Sequence, residues 1–380
     1  MFSFIKYISV ALIYNNEFKK KYDLKIFIFN EYIILKLKKI IFNFYLMVIN
    51  IFIHKKKRIH RFSPSGKNFI NENSEYKKYF HLFHNEKEYF RFNPDLILPL
   101  QVKIRSTILS VGYIYDLQHI DLPKLFDSRE KKNRESQFKN ILELNKYVIV
   151  NSDFVKKGLI KNYKIKNKRI IQLPFLPYDF DKFFFTNKNV KEKYQINNDY
   201  FIICNSFWKH KNHEVAFEAF KKFLKINKNY QLICTGSTTD TRFPKYFDGL
   251  IKKFKNTIKN DKIKILGVIP RSDQLSLIKS SVAVIQPTLY EGGPGGFAAY
   301  EALSCGKDLL LSKIKVNKEI VSKNVYFFSP KSSKKLCNLL LKISKMKKNN
   351  FTKKKIEEIS LNNQKKLGDY LLKVMGKILK

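Results

Sequence analysis

The sequence predicts an α/β protein whose two parallel sheets face each other across a cleft. Three features carry this reading. Short apolar runs rich in β-branched and aromatic residues alternate with amphipathic patterns along the chain, the order expected of βα units. A polar run at 186–199 separates two such series. A glycine-rich loop leads directly from an apolar strand into a helix, and in sheets of this kind ligands bind beyond the carboxyl ends of the strands. The expected organisation is two Rossmann-like domains, 1–180 and 181–345, followed by a basic helical tail at 346–380.

In the first half the strand candidates are Leu24–Phe29, Arg58–Phe62, Leu96–Leu100, Val111–Tyr115, Tyr147–Asn151 and Ile170–Leu173. In the second they are Tyr200–Cys204, Gln231–Thr235, Ile263–Leu266, Val282–Ile285, Leu309–Ser312 and Val325–Phe328. Helical spacing marks Tyr7–Tyr14, Glu214–Ile226, Phe247–Ile258, Asp273–Lys279 and Glu357–Leu379. Two stretches imitate membrane segments. Residues 1–14 lack a basic start and a small-residue cleavage site. The apolar run 40–53 is shorter than the roughly 20 residues needed to span a bilayer. Both read as helices of a globular domain, with an interfacial helix over 32–56 as the alternative.

The loop contains Gly292, Gly293, Gly295 and Gly296, bracketed by Glu291 and Glu301. Without Cβ atoms its backbone can approach a ligand and turn N–H groups outward. The start of the following helix favours a phosphate or diphosphate. The two carboxylates would repel phosphates, so they suit hydroxyl groups on either side. Ribose, diphosphate and sugar in sequence make a sugar nucleotide. A second constellation, Asn205 to His213, also lies between a strand and a helix, where Lys211 is placed to neutralise a departing diphosphate.

The net charge is +42 at pH 7. Lysines are scattered along the chain, and Lys, Ile, Asn, Phe and Tyr are inflated together, which indicates compositional bias rather than a specific nucleic-acid surface. A weak contact with an anionic membrane surface remains expected. Cys204, Cys234, Cys305 and Cys337 form no Cys-x-x-Cys pair and read as reduced core residues of a cytoplasmic protein. His81-x-x-His84 has no further ligand beside it, so no metal site is expected. Neither a Walker A nor a Gly-x-Gly-x-x-Gly motif occurs, and Ser65-Gly66-Lys67-Asn68 is not a phosphate loop.

The second half resembles the retaining glycosyltransferases of family 4, which have the GT-B fold. The residues that carry the likeness are Asn-Ser-Phe-Trp-Lys-His-Lys-Asn-His (205–213), Cys-Thr-Gly (234–236) and Gly-Val-Ile-Pro-Arg-Ser-Asp-Gln (267–274). They continue through 286–296, Tyr-Glu-Ala-Leu-Ser-Cys-Gly-Lys (300–307) and Val-Asn-Lys-Glu-Ile (316–320). Upstream, 115–126 and 150–157 resemble the same family's acceptor-side domain.

The resemblance implies a sugar transferred with retention from a nucleotide-sugar donor to a hydroxyl of a glycan or lipid-linked acceptor, without an obligatory metal or other cofactor. Glu301 would hold the ribose hydroxyls, and Glu291 would lie at the donor sugar. Lys211 would bind the diphosphate, and the loop of Gly292, Gly293, Gly295 and Gly296 would contribute to donor binding, with the amides around Gly293 and Gly295 near the donor sugar. His119 would hydrogen-bond the donor sugar. The implied setting is cytoplasmic, at the inner face of the membrane. Polysaccharide biosynthesis is the expected process. An impaired relative that binds nucleotide only, or a basic nucleic-acid-binding protein, is the alternative.

The chain departs from the family at several points. Its acids are spaced Glu-x9-Glu rather than Glu-x7-Glu. Ser206 stands near a frequent arginine, and Asp308 replaces a common proline. Lys313 stands where a Ser-Asp pair is common. The first domain is expected to lack its opening strand and glycine-rich loop.

Overall fold

The computed structural model describes residues 2–24, 26–29, 80–83, 95–100, 109–178, 189–346 and 351–379. The expected strand Arg58–Phe62, the candidate interfacial helix 32–56, the Ser65–Asn68 segment and His84 lie outside the described residues, as do residues 186–188 of the polar run.

Helix α1 (Phe2–Ile13) opens the first lobe. Strands β1 (Ile26–Phe29) and β2 (Phe80–Phe83) form a parallel pair. Strands β3 (Leu96–Leu100), β4 (Leu109–Tyr113), β5 (Tyr147–Val150) and β6 (Ile170–Gln172) form a parallel sheet in sequence order. Helix α2 (Ser128–Leu144) links β4 to β5, and α3 (Asp153–Tyr163) links β5 to β6. Both start on side-chain caps: Asp127 accepts the Glu130 N–H, and Ser152 accepts the Val155 N–H, satisfying donors that the helix itself leaves open.

The second lobe holds β7 (Asp199–Cys204), β8 (Tyr230–Thr235), β9 (Ile263–Gly267), β10 (Ala283–Gln286), β11 (Asp308–Ser312) and β12 (Val325–Phe328). They form one sheet in the order β12-β11-β10-β7-β8-β9, parallel throughout. The chain winds outward from β7 to β9, then returns to the other side of β7 at β10. That reversal makes a crevice between the loops after β7 and β10.

The central strands are apolar on both faces, as a covered parallel sheet requires. Phe201, Ile202 and Ile203 are fully buried, as are Val284, Ile285 and Leu309 to Leu311. Helix α4 (His213–Leu224) lays Phe217, Phe220 and Phe223 on one face beside α7 (Ser333–Ser344). Each buried phenyl ring there is worth about 1.5–3 kcal/mol. Helices α5 (Arg271–Ser280) and α6 (Gly296–Ser304) cover the other face. The long helix α8 (Lys353–Ile378) packs Leu367, Leu371 and Met375 into the first lobe's core beside α1. Asn15 donates to Asp369, and Tyr370 donates to the Gln172 carbonyl.

Two elements differ from expectation. The stretch around His81, for which no element was expected, forms strand β2. The helix expected over Phe247–Ile258 breaks at Phe254, which turns its ring edge-on to Phe217 in the core. No described helix is long and apolar enough to cross a membrane.

Candidate functional site

The loop after β7 ends in a tight turn, Lys209–Lys211, and then Asn212 in the left-handed region at φ +58°. Asn212 donates through its side chain to the carbonyls of Pro287 and Pro330, at 3.0 and 2.9 Å. Leu289 N–H donates to the His210 carbonyl at 2.7 Å. These bonds tie the Lys211 turn to the glycine loop. Lys211 Nζ then lies 2.5 Å from Glu291 Oε1, with both side chains largely buried.

The start of α6 is anchored from β10. Gln286 donates to the Gly295 carbonyl at 2.8 Å and accepts from Asn205. A Cβ on Gly296 would lie 3.3 Å from Glu291 Oε2. The Glu291 carboxylate therefore sits between an ammonium group and the positive end of a helix, a place with the electrostatics of an anion site.

Glu301 lies in the second turn of α6 and is almost fully buried. Its Oε1 is 2.5 Å from Arg271 Nη1, and its Oε2 accepts from Gln274 at 3.3 Å. The two acids thus have different partners, Glu291 tied to the loop after β7 and Glu301 to α5, which follows β9. Arg271 was not singled out from sequence, although it lies in the matched stretch 267–274. Its only signal was an arginine opening a helix after a strand.

Two features of the expected site residues stand out. The glycines do not present a row of free amides. Gly295 N–H donates to Asn317 Oδ1 at 2.8 Å, and Gly296 N–H points to the Gly293 carbonyl at 3.3 Å. Gly292 lacks a Cβ for a different reason: one would lie 1.9 Å from the Tyr115 carbonyl of the first lobe. Gly293 likewise faces Asn151.

Among the described residues, the contacts of His119 stay within the first lobe, where its ring lies edge-on to Phe126 and Phe138. Its Nε2 is 3.3 Å from Glu135 Oε2, while Nδ1 is buried without a partner. Burial lowers its pKa, opposed by the bond to Glu135. A neutral ring donating through Nε2 keeps Nδ1 as an acceptor.

The lobes meet around the loop. Tyr290 Oη accepts the Leu117 N–H at 2.9 Å, and Ser152 Oγ donates to the Gly292 carbonyl at 2.7 Å. Glu319 accepts from the N–H groups of Asp153 and Phe154 at 3.0 and 2.8 Å. Arg242 stacks on Phe126 and Trp208 and pairs with Glu130, which makes Trp208 part of the cleft wall. A cavity of about 530 Å³ lies beside this arginine, lined by Lys124, Phe126, Glu130 and Phe243 among others, and not at Lys211 or Glu291. Among the described residues, no three His, Cys, Asp or Glu side chains converge as metal ligands.

Residues 186–364 match the family "Glycosyl transferases group 1". No curated protein matches the chain. Among solved structures, the Anabaena protein HepE in complex with UDP and glucose is similar at a TM-score of 0.58 and 14% identity, over 80% of this chain and 88% of that one. A glycosyltransferase from Rickettsia africae matches at 0.53 and 18%, over 85% of both chains. Sucrose-phosphate synthase from Thermosynechococcus elongatus matches at 0.55 and 17%, over 82% and 77%. At these identities the likeness establishes the fold, which is the two-lobed α/β architecture named GT-B.

Proposed function

We propose that the chain transfers a sugar from a nucleotide-sugar donor to a hydroxyl of a glycan or lipid-linked acceptor, with retention at the anomeric carbon. One observation supports this reading above the others: Lys211 and the start of α6 converge on a carboxylate at the sheet's reversal point. The donor's diphosphate takes that place. Glu291 then yields Lys211 and turns to the donor sugar, while Glu301 gives up Arg271 for the ribose hydroxyls. Gly292 and Gly293 let the first lobe close against the loop, and Gly295 and Gly296 open α6, whose start receives the diphosphate.

In the transfer the bond between the anomeric carbon and the diphosphate oxygen breaks, and a bond to the acceptor oxygen forms on the same face. The acceptor proton passes to the departing diphosphate. Lys211 and the helix start meet the charge that builds there, a task they perform without an obligatory metal. His119, whose contacts lie in the first lobe, is brought to the donor sugar as the lobes close on it and there offers Nδ1 to a hydroxyl. The solved complex of HepE with UDP and glucose makes UDP-sugars the first donors to try. We place the enzyme in the cytoplasm, with its basic surface weakly drawn to anionic lipid and no specific nucleic-acid partner.

The test is release of nucleoside diphosphate from a panel of UDP-, GDP- and ADP-sugars, with the product's anomeric configuration read by NMR. Release with retained configuration supports the proposal. Binding without release from any donor identifies an impaired relative instead.

A further inference from the structure

The start of α3, in the first lobe, holds the glycine loop at two places. Ser152 is fully buried and does two things with one hydroxyl: it caps α3 by accepting the Val155 N–H, and it donates to the Gly292 carbonyl. The next two amides, of Asp153 and Phe154, donate to the carboxylate of Glu319 in the second lobe. Glu319 ends the short turn Val316–Glu319. Two residues earlier in that turn, the fully buried Asn317 accepts the Gly295 N–H and donates to the Ser312 carbonyl. Ser312 in turn donates to the Thr288 carbonyl at the loop's beginning.

We propose that Ser152 and Glu319 are positioning residues for sugar transfer: closure of the first lobe onto Glu319 fixes, through Asn317, the geometry of the loop that carries Glu291. This inference rests on the transferase reading of the same site. Neither residue touches the donor. Their effect falls on how the loop is held when the lobes are together, so it appears in the chemical step and not in nucleotide affinity. Misplacing a catalytic group by about 1 Å is enough to slow a reaction roughly 100-fold.

Hydrogen–deuterium exchange and steady-state kinetics on the full chain test this, using Glu319→Gln, Ser152→Ala and the double variant. Glu319→Gln preserves size and removes the charge shared by two N–H donors. The expected result is exchange about tenfold faster at the amides of 290–296, with Leu309 to Leu311 unchanged as the control for folding. The expected kcat falls about 10- to 100-fold, while the calorimetric Kd for UDP changes less than about twofold. Because both residues act through one helix start, the double variant should be little worse than the poorer single one.

Unchanged exchange in the loop overturns the proposal. So does a Kd that weakens in step with kcat, which marks a merely structural role. Should the unmodified chain turn over no sugar nucleotide, the transferase reading fails, and the exchange result alone still decides whether the lobes set the loop.

Discussion

Lys211 Nζ and Glu291 Oε1 meet at 2.5 Å across the crevice where the strand order reverses. Under the proposed function, a donor diphosphate would replace this carboxylate at Lys211, one anion exchanged for another.

This exchange has a sign that can be measured. Glu291→Gln removes the competing anion and should tighten UDP binding by about fivefold, close to 1 kcal/mol for a largely buried pair. The same change should slow sugar transfer. Lys211→Gln should weaken UDP at least about tenfold, because it removes a charge-assisted bond to phosphate. Isothermal titration of both variants checks this, and weaker UDP binding by Glu291→Gln would contradict the exchange.

Glu301 is proposed to face a different part of the donor, the ribose. Glu301→Gln should weaken a nucleoside diphosphate by about 10- to 100-fold, the cost of losing hydrogen bonds from hydroxyls to a charged acceptor. A 2′,3′-dideoxynucleotide, which has no such hydroxyls, should bind the variant and the unmodified chain alike. A loss equal for both ligands would remove Glu301 from the ribose.

Gly295 adopts φ +63°, and a Cβ there would meet Ala299 Cβ at 2.4 Å. Gly295→Ala should therefore destabilise the chain by about 1–3 kcal/mol in urea unfolding. Gly292→Ala meets the backbone of the other lobe instead, so it should separate the lobes and abolish turnover with a smaller loss of stability. Gly249 lies in a helix with open space around it, so Gly249→Ala should add about 0.5–1 kcal/mol.

Buried His213 stacks on Phe207 with ring centroids 4.0 Å apart, and burial pushes its pKa down to about 3. Between about pH 6.5 and 3 the unfolded chain binds a proton there that the folded chain does not. Stability is thus lost as pH falls below about 6.5. His213→Gln should reduce that dependence by about 1.4 kcal/mol per pH unit. Urea unfolding at pH 6.0 and 4.5 reads the difference, and equal slopes would contradict it.

Much of the site was legible because its signals are local. Strand Val325–Phe328 is found where its apolar run placed it, and β7 and β11 extend theirs by one residue. The loop after β10 and the turn at Lys211 both sit at carboxyl ends of strands, as their order along the chain required. What escaped was set by distant partners. Nothing near Asn317 indicates that it takes the Gly295 amide, and nothing near Ser152 indicates a bond to Gly292, 140 positions away. Strand β2 was hidden because Phe80 to Phe83 stands in a stretch that is aromatic and polar throughout, without a clear period of two.

The central claim is that the crevice bounded by Lys211, α6 and Glu301 grips an activated sugar. Its most direct test is calorimetric titration of the full chain with UDP-, GDP- and ADP-sugars, repeated on Glu301→Gln. The account predicts that at least one donor binds saturably, at 1:1, and that the variant weakens it by at least about tenfold. If no donor binds, or if the binding donor is held equally well by the variant, the crevice is not the donor site.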